Sequence, residues 1–241
     1  MIVDCAHYRD GKRQHQGPLP LEEAASYCTG GGEFVWLGLH DPTDEELRRV
    51  GEVFDLHELA LEDAMHSHQR PKLEDYGGSL FMVLHPARYD DAKELVEFGE
   101  INLFVGSGYV IAVRRGAASE LGAARQRLEE RPELLEHGPA AVVWAILDKV
   151  VDDYEPVVNG IDNDIEEVEQ EIFGQRADST ERIYFLKREV IAFHRAVSPL
   201  LSPLEAIERG AYPDIDPELR RYMRDVHDLS LIHISEPTRP Y

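Results

Sequence analysis

The sequence predicts an α/β sandwich followed by a long antiparallel helical hairpin. Three observations carry that fold class. Short β-rich runs alternate with amphipathic stretches over residues 1–136. From Leu147 to Ile172, apolar residues recur at alternating steps of four and three, the signature of a helix packed along a partner. The same pattern resumes from Ile183 to Ile207, after a break at Gly174 to Thr180.

The elements follow in chain order. Phe34 to Leu39 reads as a buried strand ended by His40-Asp41-Pro42. Thr43 or Asp44 then caps a helix whose apolar residues are Leu47, Val50 and Phe54. A shorter helical stretch runs from about Leu56 to Ala64. Two hairpins come next, pairing Lys72 to Tyr76 with Leu80 to His85, and Val96 to Val105 with Tyr109 to Arg114. The second turns through Gly106-Ser107-Gly108. Ala117 to Glu130 reads as a surface helix. The chain divides near Glu136-His137-Gly138-Pro139, and residues 137–210 form the long acidic hairpin, packed against the sandwich. Its seams are Leu147, Val151, Tyr154, Val158, Ile161, Ile165, Val168 and Ile172, then Ile183, Leu186, Val190, Phe193, Val197, Leu200, Leu204 and Ile207. Pro156, Pro199 and Pro203 should kink these helices. A further helix begins near Pro217, with Leu219, Tyr222, Met223 and Val226. Residues 229–241 read as a non-native or disordered tail, because SLIHISEPTRPY carries two prolines and no helical period.

Charge and composition limit the function. The 25 basic and 47 acidic residues give a net charge of −22. Nucleic-acid affinity comes largely from Lys and Arg neutralising phosphates, so a nucleic-acid partner is excluded and cationic partners are favoured. Two cysteines, Cys5 and Cys28, form no metal or disulfide framework and fit a reducing cytoplasm. The longest nearly apolar run, Pro139 to Leu147, is far short of the ~20 residues that span a bilayer. His57-Glu58-Leu59-Ala60-Leu61 lacks the second histidine of a zinc-protease motif, and no phosphate loop or nucleophile elbow occurs, so an enzyme is not expected. His66-Ser67-His68 reads as surface histidines at a helix end more readily than as a metal site.

The densest chemical feature is the acidic run from Asp148 to Glu171, with ten carboxylates against Lys149 alone. Such a run is more often a solvated helix face. Its functional alternative is attraction of hydrated divalent cations, because Mg²⁺ takes hard oxygen ligands and keeps several waters.

One stretch resembles a known family. His68-Gln69-Arg70-Pro71-Lys72-Leu73-Glu74, just after Leu61-Glu62-Asp63, resembles a signature of CorA-type magnesium and cobalt transporters. Trp36-Leu37 with Asp41-Pro42, Phe104-Val105-Gly106, Val150 to Tyr154, and Tyr222 to Val226 agree with that family in order, over about residues 1 to 228. The resemblance implies an αβα-sandwich cytoplasmic domain, with residues 211–228 opening a stalk helix. It implies a homopentamer held at the membrane only through C-terminal helices that are missing here. It also implies a regulatory metal site between subunits, in which a carboxylate matching Asp63 approaches one matching Asp225 on the neighbour. Glu62, Asp148 and His68 match secondary positions. The regulatory ion would be Mg²⁺, with Co²⁺ or another divalent cation in its place, and its binding favours the closed channel. Leu229 departs from the family, which carries histidine there. The related zinc-transporting branch shares the fold, and an oligomerising scaffold without metal function is the remaining alternative.

Overall fold

In the computed structural model, which describes residues 1–28, 31–66, 69–116, 120–173, 180–210, 212 and 215–235, the alternating apolar strands assemble into one large sheet. The strands are β1 (Ile2–Arg9), β2 (Lys12–Arg13), β3 (Glu33–His40), β4 (Lys72–Asp75), β5 (Leu80–Leu84), β6 (Ala87–Asp90), β7 (Leu95–Phe98), β8 (Glu100–Gly106) and β9 (Tyr109–Arg115). The helices begin with α1 (Leu21–Ala25), α2 (Asp44–Phe54), α3 (Glu58–Met65), α4 (Gly122–Glu129) and α5 (Pro132–Leu135). They continue with α6 (Pro139–Asp152), α7 (Tyr154–Phe173), α8 (Thr180–Val197), α9 (Leu201–Glu208) and α10 (Leu219–Ser235). Seven strands join in the order β2-β1-β3-β9-β8-β5-β4, while β6 and β7 form a separate two-stranded ribbon. Only the central β3–β9 pair of the large sheet is parallel.

Period-two alternation divides the core between the sheet's two faces. Val35, Leu37 and Leu39 of β3 join Cys5, Phe81, Val83, Phe104, Ile111 and Val113 on one face. Leu47, Val50, Phe54, Ala60 and Ala64 of α2 and α3 cover that face. Phe34 and Trp36 point the other way, with Tyr8, Met82, Leu103 and Ala112, and α6 covers them. The fold is therefore an αβα sandwich. Helix α2 starts where the sequence says it should. Thr43 Oγ1 accepts from Glu46 N at 3.2 Å while Glu46 Oε2 accepts from Thr43 N at 2.9 Å, a complete capping box. Asp4, in the middle of β1, is held by both guanidinium nitrogens of Arg13, at 3.0 and 2.8 Å, and by Arg125 of α4. Arg125 also stacks on Trp36 at 4.1 Å, which ties α4 to the sheet. Among the described residues no helix is long and apolar enough to cross a membrane.

The hairpin forms with its seams facing each other. Phe193 is buried against Tyr154, ring centroids 5.6 Å apart at 86°. Val158 is half-buried in the same seam. Towards the hairpin tip the seam opens to solvent, where Ile172 and Ile183 are exposed.

Four expectations need correction. The helix read as continuous through Leu147 and Ile172 is two helices, broken at Asp153. Pro156 has no N–H for the Asp152 carbonyl and its ring crowds that turn. The second arm, read as one helix from Ile183 to Ile207, is divided into α8 and α9 by a 3₁₀ turn at Ser198–Leu200, where Pro199 has no N–H to continue the α-helical ladder. The strand read from Val96 to Val105 is also two, split at Gly99: β7 pairs with β6 and β8 with β5 and β9. Finally, residues 229–235 of the expected tail continue α10. Ser230 and Ile234 are buried, continuing the stripe of Leu219, Met223 and Val226 at helical spacing. Ser230 donates its hydroxyl to the His227 carbonyl at 2.7 Å, so its polarity is satisfied inside the helix. Residues 236–241, like residues 117–119 at the start of the expected surface helix, lie outside the described residues.

Two substitutions test this packing. Phe193→Ala should cost ~3–5 kcal/mol, the loss for a buried aromatic, and a melting temperature left unmoved would separate α7 from α8. Ile234→Ala should cost ~2–5 kcal/mol, because the side chain is 2% exposed at the seam of Val158, Val190 and Phe193. Urea unfolding of the same variant with no shift in midpoint would detach the end of α10 from the core.

Candidate metal centre

Two helices far apart in sequence bring two carboxylates to one cavity. Trp144 of α6 packs on Tyr222 of α10, ring centroids 5.3 Å apart at 58°. The Arg131 guanidinium lies 5.8 Å from the first ring and 5.7 Å from the second. One turn onward, Asp148 follows Trp144 by four residues and Asp225 follows Tyr222 by three, so each carboxylate sits on the face its aromatic has fixed. Both line a cavity of about 420 Å³, walled also by Arg127, Glu130 and Arg131. The Asp148 carboxyl is pushed up to about 6, first by burial and then by the Asp152 and Asp225 charges, with Arg127 and Arg131 opposing. Sequence reasoning passed over these two arginines. Their positions in α4 and just before α5 gave no sign of a shared cavity.

Asp63 and Glu62 lie elsewhere. Both are on α3, which covers the opposite face of the sheet from α6. Asp63 Oδ2 accepts from Lys72 Nζ at 2.6 Å, and the same ammonium reaches Glu74 Oε2 at 2.7 Å. Opposing carboxylates hold the Lys72 ammonium above its usual range against the effect of its burial. Glu62 is exposed. His68 lies outside the described residues. Thus one chain unites Asp148 with Asp225 and keeps Asp63 with Glu62 apart from them.

The donor set suits a hard divalent cation. All four described candidates offer carboxylate oxygens. Among the described residues no three His, Cys, Asp or Glu side chains converge to hold a metal. Mg²⁺ needs only one or two carboxylates, with water in the remaining positions. A cation would also offset the Asp152 and Asp225 charges that add to the effect of burial on Asp148.

Residues 31–233 match a family model described as CorA-like Mg2+ transporter protein. The chain is 28% identical over 199 residues to the cobalt/magnesium transport protein CorA of Thermotoga maritima, covering 80% of this chain and 56% of that one. The chain therefore spans little more than half the length of that relative. Its fold is similar to the soluble domain of CorA from Methanocaldococcus jannaschii, with a TM-score of 0.74 over 98% of this chain and 92% of that one, at 16% identity. The full-length CmaX protein superposes with a TM-score of 0.79 over 98% of this chain and 72% of that one, at 17% identity.

The raised Asp148 carboxyl makes stability pH-dependent in a defined direction. Unfolded, an aspartate titrates near 3.9, so between about pH 4 and 6 the native state holds a proton that the unfolded chain has released. The contribution of Asp148 therefore falls as pH rises through that window, by at most about 3 kcal/mol. Asp148→Asn should remove it. Relative to the unmodified chain, the variant should gain stability from pH 4 to pH 7 in urea unfolding. A difference independent of pH would mean that the Asp148 charge meets no penalty in this cavity.

Proposed function

With residues 31–233 matched, the chain belongs to the CorA-like Mg2+ transporter family, and from that premise we propose that it senses Mg²⁺ on the cytoplasmic face of a membrane and regulates the gate of a divalent-cation transporter. The observation that carries this reading is the cavity in which Asp148 and Asp225 face each other at a cost to Asp148. In a homopentamer, Asp225 of one copy would meet Asp63 of the next, with Glu62, Asp148 and His68 around them. At −22 per chain, five copies repel one another, and the facing carboxylates concentrate that repulsion at the contact. Mg²⁺ would supply two positive charges and an ordered water shell there. Asp148 and Asp225 hold their side of the contact through the Trp144–Tyr222 packing. Lys72 gives Asp63 a positive partner in the absence of metal. Opening would follow when the carboxylates are left to repel.

Thermal melting at high protein concentration tests the reading. Millimolar Mg²⁺ should raise the melting temperature more than NaCl of equal ionic strength, which only screens. Asp63→Asn or Asp225→Asn should largely remove the Mg²⁺-specific part. Glu169→Gln, on the acidic helix away from the cavity, should change only the general salt response. Equal effects of the two salts on the unmodified chain would favour the scaffold without metal function.

A further inference from the structure

The first hairpin carries a second, chemically different arrangement. Asp10 and Gly11 both adopt positive φ, 48° and 68°, so the chain reverses in two residues between β1 and β2. Pairing of Tyr8 with Arg13 and of Arg9 with Lys12 then brings Gln14 opposite His7, whose carbonyl accepts from Gln14 N at 2.9 Å. The next residue, His15, has its ring 6.1 Å from that of His7, centroid to centroid. Tyr27 stacks flat on His7 at 4.1 Å and 8°, closing one face of the imidazole.

The two nitrogens of His7 are in different situations. Nε2 is 3.1 Å from Glu33 Oε2, and a carboxylate can only accept, so Nε2 carries the proton. Nδ1 is then a bare lone pair, and it is buried with no hydrogen-bond partner. The residue is 2% exposed. Burial holds the imidazole below its ordinary pKa, and the Glu33 bond only partly offsets this. A desolvated, unpaired acceptor is costly unless something binds it. A carboxylate on one ring nitrogen with the other left bare is the arrangement that metal-ligating histidines use.

The geometry points to a two-histidine site, His7 Nδ1 with His15, for a divalent transition-metal ion of the Zn²⁺ or Co²⁺ class, with Glu33 as the positioning residue for His7. Imidazole prefers these ions to Mg²⁺, so this site and the carboxylate cavity select different metals. Water would complete the coordination shell, since no third His, Cys, Asp or Glu joins the pair among the described residues.

Zn²⁺ titration of the full chain in excess Mg²⁺, followed by calorimetry and by histidine ¹⁵N resonances, tests the site. Zn²⁺ should bind and shift the His7 Nδ1 resonance. His15→Ala, an exposed position that leaves the core intact, should weaken binding tenfold or more and abolish the shift. Glu33→Gln should weaken it about 10-fold or more, because the amide no longer enforces the Nε2–H tautomer. Asp225→Asn should leave it unchanged, which separates this outcome from the fate of the carboxylate cavity. Binding that is unchanged in His15→Ala, or that leaves the His7 resonance in place, overturns the assignment. So does an absence of Zn²⁺ binding at millimolar metal.

Discussion

Helix α6 has no face to spare for water between Ala141 and Leu147, where every side chain is buried against the sheet, α4 and α10. A helix that is apolar all round must be a core element. This one is too short to be a membrane span, so the sheet and its neighbouring helices have to close on it. The closure has an electrostatic consequence. The first carboxylate after the apolar run, Asp148, enters at the edge of the core, still partly desolvated, and its partner on α10 is another carboxylate. The apolar packing of Trp144 on Tyr222 thus holds two like charges at one cavity. Hydrophobic burial outweighs that repulsion because it is spread over many side chains, while the charge penalty falls on one.

The acidic run that follows is not uniformly a solvated face. Arg182 of α8 reaches Glu94 at 2.8 Å, Glu167 at 2.8 Å, Glu171 at 3.0 Å and Asp164 at 3.6 Å. One guanidinium therefore ties α7, α8 and the β6–β7 ribbon together. Asp164 is buried and accepts from the Tyr89 hydroxyl. Gly160 makes that approach possible, since a Cβ there would collide with the Tyr89 ring. Buried Glu189 accepts from the Val96 backbone N–H at 3.0 Å, anchoring the same ribbon to α8. Surface ion pairs contribute little individually, but a shared, partly buried arginine with several partners fixes geometry. The acidity of α7 is thus partly structural, and the Asp148–Asp225 cavity stands apart from it.

Much of this was legible in the sequence. The spacing of Leu47, Val50 and Phe54, the Thr43 cap and the two seams each rest on local periodicity, which a single chain displays. The break at Asp153 was signalled by Pro156 but displaced by three residues, because proline disturbs the turn before it. Strand β1 went unread because Asp4 interrupts its apolar run, and the arginines that satisfy Asp4 come from β2 and α4. The continuation of α10 was visible in principle. Val226, Ser230 and Ile234 recur every four residues, and a small serine on the stripe hid the pattern. The cavity was out of reach of such reasoning. Asp148 and Asp225 entered through family resemblance, and their meeting depends on two aromatics whose contact no local pattern encodes.

The division of the candidate carboxylates between the two faces of the sheet bears directly on how they could share a cation. Helices covering opposite faces are separated by two packing layers, roughly 20 Å in all. Two carboxylates that share one small divalent ion, directly or through its coordinated waters, must both lie within about 5 Å of it. Asp63 and Asp225 of the same chain therefore cannot grip one ion without dismantling the sheet between them. If they share a cation, they do so across a contact between copies, with α3 of one chain against α10 of another. This makes any such site a sensor of assembly as well as of metal: neither concentration alone completes it. Within the single chain, Asp63 takes its positive charge from Lys72, 2.6 Å away.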